Sequence, residues 1–244
     1  METKVSSGIG ILDWLLEGGY EKDTITTIYG PAGCGKTNLC LLSMVYASKD
    51  KKTIYIDTEG SFSIARLKQI TDDYNRVLAN TVFLKPTNFE EQREAFKRLR
   101  KYINNKIGLI IFDSAVMLYR LELGRDKEVY RTNKEFGMQI AYLSEIARKN
   151  RIPVLITSQV YADFDNKDKI KMVGGDILRY QSKCLIEVKR FDNGTREACI
   201  IKHRSIEEGK KIRFKIIDKG VEEVMPTSCK NSLREPLQPS SKAD

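Results

Sequence analysis

Long apolar runs are what this sequence of 244 residues most plainly lacks. Stretches such as Gly108–Phe112 are far too short to cross a bilayer. No early segment has the charged, apolar, then small-residue layout of a secretory signal. Cysteine is sparse: Cys34, Cys40, Cys184, Cys199 and Cys229 are an odd number without paired or metal-ligating spacing. That argues against a disulfide scaffold or a metal cluster and for reduced thiols. No internal repeat is visible, and three of the six prolines lie at or beyond Pro226, where periodicity stops. The expectation is a cytoplasmic protein with no membrane partner, a core over residues 1–225 and a flexible tail over 226–244.

What is present is an ordinary globular composition, 41% hydrophobic and 9% aromatic, enough for a sizeable core. The formal charge is +9, from 42 basic against 33 acidic residues. Such a balance suits a polyanionic partner, nucleic acid or an anionic membrane, and equally a lysine-rich proteome.

Hydrophobic strands alternate with helical patterns, the signature of a mainly parallel central sheet flanked by helices. Strands are expected at Thr24–Tyr29, Thr53–Asp57, Thr81–Leu84, Leu109–Asp113 and Pro153–Ser158. Helices are expected over Lys36–Ala47 and Ile64–Leu78. Thr87 or Asn88 can cap a further helix with Glu90 and Glu91 in its first turn and Arg98, Arg100 and Lys101 towards its end, signs that suit the helix dipole. Phe136, Ile140, Leu143 and Ala147 mark one more apolar helical face. From Cys184 the pattern changes to successive strands, Cys184–Lys189, Arg196–Lys202 and Ile212–Ile217, which predicts antiparallel strands at the C-terminal end. Asn-Gly within "FDNGTRE" signals a hairpin between the first two.

The stretch "GPAGCGKT", Gly30, Pro31, Ala32, Gly33, Cys34, Gly35, Lys36 and Thr37, fits G-x-x-x-x-G-K-[ST] between a predicted strand and a predicted helix. Its glycines let backbone N–H groups point at phosphate oxygens, and the helix N-terminus adds partial positive charge. Lys36 is placed to reach β- and γ-phosphates and the Thr37 hydroxyl to bind Mg²⁺. Asp113, ending the apolar strand in "LIIFDS", is the second candidate for that metal, through water. Glu59 in "YIDTEGSF" lies just past a strand at the same sheet edge, where a carboxylate can polarise an attacking water. ATP and Mg²⁺ are the cofactors these residues predict.

Taken in order, the glycine loop, T-E-G-S-F, F-D-S and "ITSQV" resemble the RecA-type recombinase core. "SSGIGILDWLLEGGY" is similar to the opening of its archaeal and eukaryotic members. "GPAGCGKTNLC", "MVGGDILRYQSKCLIEV" and "IIKHRSIEEG" resemble the archaeal RadB proteins, over residues 1–225. The resemblance implies a RecA-like P-loop NTPase fold, with Lys36, Thr37 and Asp113 holding ATP and Mg²⁺ and Glu59 orienting the water. It implies that Arg66 packs on the adenine and that Gln159 senses the γ-phosphate and reports to the loop after it. Lys202 and Arg204, flanking the only histidine, His203, match a basic pair with which bacterial RecA and KaiC ATPases reach a neighbour's γ-phosphate.

Two segments match recombinase DNA-binding loops. Arg120, Arg125, Lys127 and Arg131 are the phosphate-contact candidates of the first, and Lys167, Lys169 and Lys171 those of the second. The chain begins within a few residues of the core, without the helical domain and F-x-x-A anchor of RadA proteins. "FSIA" at Phe62–Ala65 fits that string by accident. The expectation is therefore an accessory protein of homologous recombination that binds ATP and DNA, with weak ATPase and no strand exchange. Its expected partners are DNA, a RadA-type recombinase, a Holliday-junction resolvase and further copies of itself. A KaiC-like signalling ATPase and a non-catalytic ATP-binding scaffold are the alternatives.

Replacing Lys167, Lys169 and Lys171 together is expected to weaken DNA binding and flatten its salt dependence, by about 0.7–0.9 in log–log slope for each phosphate that is no longer neutralised. Titration of DNA across a salt series checks this, and an unchanged slope places the DNA elsewhere.

Overall fold

The computed structural model of the protein describes residues 3–124, 129–162 and 170–224, the side chains of 162, 170 and 171 excepted. Arg125, Lys127, Lys167, Lys169 and the tail from 226 lie outside the described residues. In chain order the first elements are β1 (Lys4–Val5), α1 (Gly10–Leu15), β2 (Tyr20–Glu21), β3 (Ile25–Tyr29), α2 (Lys36–Ala47) and β4 (Lys52–Asp57). Then come α3 (Ile64–Ile70), α4 (Tyr74–Ala79), β5 (Thr81–Leu84), α5 (Phe89–Tyr102), β6 (Ile107–Asp113), α6 (Met117–Leu123) and α7 (Val129–Asn150). The chain continues through β7 (Val154–Ser158), β8 (Val160–Ala162), β9 (Ile170–Met172) and α8 (Gly175–Gln181). It closes with β10 (Cys184–Arg190), β11 (Arg196–Lys202), β12 (Lys211–Ile217) and β13 (Gly220–Glu223).

Among the described residues the main sheet has nine strands in the order β13-β12-β11-β10-β3-β7-β6-β4-β5. From β10 to β5 every pairing is parallel, and from β10 to β13 every pairing is antiparallel. The parallel half is covered on both faces, so its strands read as unbroken apolar runs. Tyr55, Leu109, Ile111 and Leu155 join α1 and α2 in one cluster. Ile54, Ile56, Ile110, Phe112, Val154 and Ile156 face α5 and α7 in the other. Phe112 and Tyr55 are fully buried, and each side chain of this size stabilises the fold by about 1.5–3 kcal/mol. None of the described helices is long and apolar enough to cross a membrane.

Local chemistry sets the helix ends. Asn88 caps α5: its side chain accepts from the Glu91 amide at 2.9 Å, while the Glu91 carboxylate accepts from the Thr87 amide at 2.8 Å and hydroxyl at 2.9 Å. This reciprocal arrangement satisfies donors that the first helical turn leaves orphaned. The single helix expected over Ile64–Leu78 is instead two, α3 and α4. Thr71 turns extended, and its hydroxyl accepts from the Asp73 amide at 3.1 Å. Short polar side chains in "TDD" offer the backbone a turn in place of a helical bond, and the turn wins. The first basic loop is also shorter than its sequence suggests, since Arg120 lies on α6 and Arg131 on α7. The Asn-Gly hairpin is present, with Arg190 opposite Arg196 and Gly194 at φ 77°.

At the amino end, Asp13 ties the "SSG" segment to α1. Its carboxylate accepts from the Ser7 amide at 2.7 Å, the Ser7 hydroxyl at 2.6 Å and the Ser6 hydroxyl at 2.5 Å.

His203 follows β11, and its Nδ1 accepts from the amides of Ser205 and Ile206, each at 3.1 Å. Burial holds this imidazole below its ordinary value, with the Glu21 charge opposing. As pH falls through about 6.5 the unfolded chain takes up the proton first. The contribution is therefore complete above that value and lost below it. Urea unfolding at pH 7 and 5.5 is expected to show this loss, and His203→Gln to reduce it. A single imidazole resonance titrating at or above the free value overturns the assignment.

Candidate functional site

The parallel half sets β3, β4, β6 and β7 with their carboxyl ends at one edge, where open sheets of this kind hold ligands. The turn from β3 into α2 is the glycine loop. A Cβ on Gly30 would lie 2.1 Å from the Val188 carbonyl oxygen, so only glycine lets the loop start against β10. Gly35 adopts φ 107° at the N-cap of α2, a conformation that L side chains rarely take, and so exposes the amides of the first turn.

Lys36 opens α2 and folds back over the loop. Its Nζ donates to the carbonyls of Gly30 at 2.9 Å and Pro31 at 3.0 Å and lies 3.8 Å from Cys34 Sγ. Burial raises the Cys34 thiol, so the group beside this cation is neutral.

Asp113 ends β6 almost wholly buried. Its Oδ1 accepts from the Thr157 hydroxyl at 2.5 Å, and its Oδ2 from Tyr55 at 2.8 Å and Ser61 at 3.2 Å. Burial first, then the Asp113 charge, raises the Tyr55 phenol well above its ordinary value. Tyr55 therefore stays protonated and donating.

Glu59, beyond β4, meets Gln159, beyond β7, across 100 residues of chain: Gln159 Nε2 donates to Glu59 Oε1 at 3.0 Å. The Ser114 hydroxyl donates to the same oxygen at 2.5 Å. The Gln159 backbone also reaches the following hairpin, its carbonyl accepting from the Val173 amide at 2.9 Å. Glu59 is thus joined, through one glutamine, to the β8–β9 hairpin on which Lys171 sits opposite Tyr161.

Arg66 on α3 fans out beside the loop. Its Nε donates to Asn38 Oδ1 at 2.8 Å, and its Nη groups donate to the carbonyls of Ile217 and Asp218, at 2.8 and 2.9 Å. This fastens α3 to the β12–β13 turn.

One cavity of about 340 Å³ is lined by Ala32, Gly33, Gly35, Lys36, Thr37, Glu59, Arg66, Asp113 and Gln159. Asn38, Leu41, Ser61 and Ser63 complete its wall. A nucleotide with Mg²⁺ fits these residues. The cradle is glycine, the cation is Lys36, and Thr37 and Asp113 supply hard oxygen donors. The buried Asn38 Nδ2 has no partner among the described residues, a donor left over for a ligand.

Lys202 and Arg204 stand apart. Lys202 pairs with Leu185 at the start of β10, the sheet edge opposite the glycine loop. Its Nζ donates to the carbonyls of Arg179 at 2.6 Å and Ser182 at 2.9 Å, at the end of α8. Arg204 pairs with Glu21 at 2.8 Å and Asp23 at 3.0 Å. Neither serves this chain's own cavity. Sequence reasoning missed Asn38, Ser61, Ser114 and Tyr55, because nothing in their spacing shows that they converge.

The Rad51 family model matches residues 2–224. The DNA repair and recombination protein RadB of Methanobrevibacter smithii is 43% identical over 226 residues, 89% of this chain and 95% of that one. The protein of the same description from Methanococcus maripaludis is 42% identical over 215 residues, 87% of this chain and 97% of that one. A crystal structure described as the RadB recombinase superposes with a TM-score of 0.77 at 32% identity, covering 90% of this chain and 99% of that chain.

Lys36→Ala is expected to leave the far-ultraviolet circular dichroism intact and to weaken ATP binding by about ten- to a hundredfold, the worth of a charge-assisted hydrogen bond. Nucleotide titration checks it, and unchanged affinity in a folded variant removes Lys36 from the site.

Proposed function

Because the chain belongs to the Rad51 family, on its RadB branch, we propose that it serves DNA repair and recombination as an accessory protein that binds ATP and DNA. The observation that carries this reading is the single cavity where Lys36, Thr37, Glu59, Arg66, Asp113 and Gln159 meet. These residues come from the ends of β4, β6 and β7 and from the starts of α2 and α3, and they converge on one cavity.

In this reading Lys36 and the loop amides hold the phosphate chain, and Thr37 and Asp113 hold the metal. Bound Mg²⁺ would neutralise phosphate charge. Glu59 holds a water by accepting its proton, Ser114 and Gln159 orient that carboxylate, and Arg66 offers a guanidinium face to the base. The shared hydrogen bond between Glu59 and Gln159 makes γ-phosphate occupancy felt at β8–β9, one of the two segments proposed to meet DNA. Arg120 and Arg131, on α6 and α7, flank the other.

Hydrolysis is weak and strand exchange absent in this proposal, with a RadA-type recombinase and a Holliday-junction resolvase as partners. Lys202 and Arg204 lie at the sheet edge opposite this cavity, so a nucleotide γ-phosphate that they reach would be one bound by a neighbouring subunit. The carbonyls that Lys202 already satisfies at α8 and the carboxylates of Glu21 and Asp23 beside Arg204 would have to share these cations with it.

DNA binding measured with and without ATP across a salt series tests the reading. Salt-sensitive binding that responds to ATP is expected, with Glu59→Gln keeping ATP affinity while losing hydrolysis by about a hundredfold or more. Absence of DNA binding at low salt removes the recombination role and favours a signalling ATPase or scaffold. Equal hydrolysis by wild type and Glu59→Gln makes Glu59 a spectator.

A further inference from the structure

The β10–β11 hairpin carries two sets of cations that the alternation of strand side chains separates. On its outer face they are neutralised. Lys189 pairs with Glu187 at 3.1 Å, and Arg213 and Lys211 on β12 pair with Glu197 at 2.8 and 3.7 Å. Arg190 and Arg196 point the other way. They are directly opposite each other, on the face of buried Phe214, to which Arg196 is also registered.

Neither arginine has a carboxylate partner among the described residues. Arg196 donates from Nη1 to the Gly194 carbonyl at 2.6 Å, but its Nε is buried without a partner. Burial first, then the Arg190 charge, lowers its ordinary basicity. Like charges directly opposite on paired strands destabilise a sheet. A buried N–H left without an acceptor adds a desolvation cost.

Both side chains lie against the glycine loop. Arg190 Nη1 is 3.3 Å from where a Cβ on Gly33 would sit, and Arg196 Nε is 3.6 Å from the corresponding point on Gly35. Gly33 and Gly35 line the nucleotide cavity, so both guanidiniums border it across the loop, although neither is among its lining residues.

We propose that Arg190 and Arg196 form a second cationic group bordering the nucleotide site, which takes the phosphate chain as the anion that their strands lack. The proposal rests on the ATP reading above and adds residues from outside its motifs. Phosphate binding offsets the repulsion between the two guanidiniums, so the hairpin is more stable with nucleotide than without it.

The test uses the full chain in three forms, wild type, Lys36→Ala and Arg190→Gln, with Arg196→Gln as a fourth. Calorimetric titration with ATP and with adenosine is paired with thermal melts. Arg190→Gln is expected to melt no lower than wild type without nucleotide, to bind ATP about tenfold more weakly and to bind adenosine unchanged. Arg196→Gln is expected to match it in ATP binding. Because Arg190 is exposed, its variant keeps the test open if Arg196→Gln fails to fold. ATP affinity of Arg190→Gln within about twofold of wild type, while Lys36→Ala loses binding, overturns the role of the pair alone. A wild-type protein that binds no ATP overturns both this proposal and the reading beneath it.

Discussion

Everything at the cavity depends on the parallel pairing of β3, β4, β6 and β7. Parallel strands deliver their carboxyl ends to one edge, and register decides which residues become neighbours there. Asp57 is opposite Asp113, and Tyr29 is opposite Ser158. Because both faces of these strands are buried, a slip of one residue would exchange Ile54, Ile56, Ile110 and Phe112 with the opposite core. The hydrophobic packing that specifies register therefore also specifies the position of the polar residues beyond the strand ends.

A buried carboxylate such as Asp113 is costly unless every lone pair is occupied. Here hydroxyls from β4, β7 and the turn after β4 occupy three of the four, leaving one site on Oδ1. This makes Asp113 a clasp across the sheet as well as a metal-ligand candidate. The hydrogen bonds of Glu59 with Ser114 and Gln159 repeat the pattern nearer solvent, and the Gln159 carbonyl joins them to the end of the β8–β9 hairpin at Val173.

The antiparallel strands contribute to the same site by different physics. Arg66 donates to the carbonyls at the β12–β13 turn, so the far end of the sheet is fastened to the helix after Glu59. The β10–β11 hairpin brings Arg190 and Arg196 beside Gly33 and Gly35 of the glycine loop, while the end of β11 carries Lys202 to the opposite edge. Position along β11 separates these basic residues, Arg196 being its first residue and Lys202 its last.

The sequence by itself determined the fold class and the glycine loop, and it singled out Lys36, Thr37, Glu59 and Asp113, which line one cavity. Apolar runs, strand-to-helix transitions and glycine spacing are local signals written in consecutive residues. It also located the α5 cap and the Asn-Gly hairpin, each within a few positions. It misjudged the break at Thr71 because a three-residue polar turn competes with helix at nearly equal energy. What only the tertiary structure decided is which distant residues meet: Gln159 with Glu59, Tyr55 and Thr157 with Asp113, Arg66 with the β12–β13 turn. These pairings join residues far apart in the chain and have no local signature. They arise from strand order, which follows from how the amphipathic layers pack rather than from any single stretch of chain.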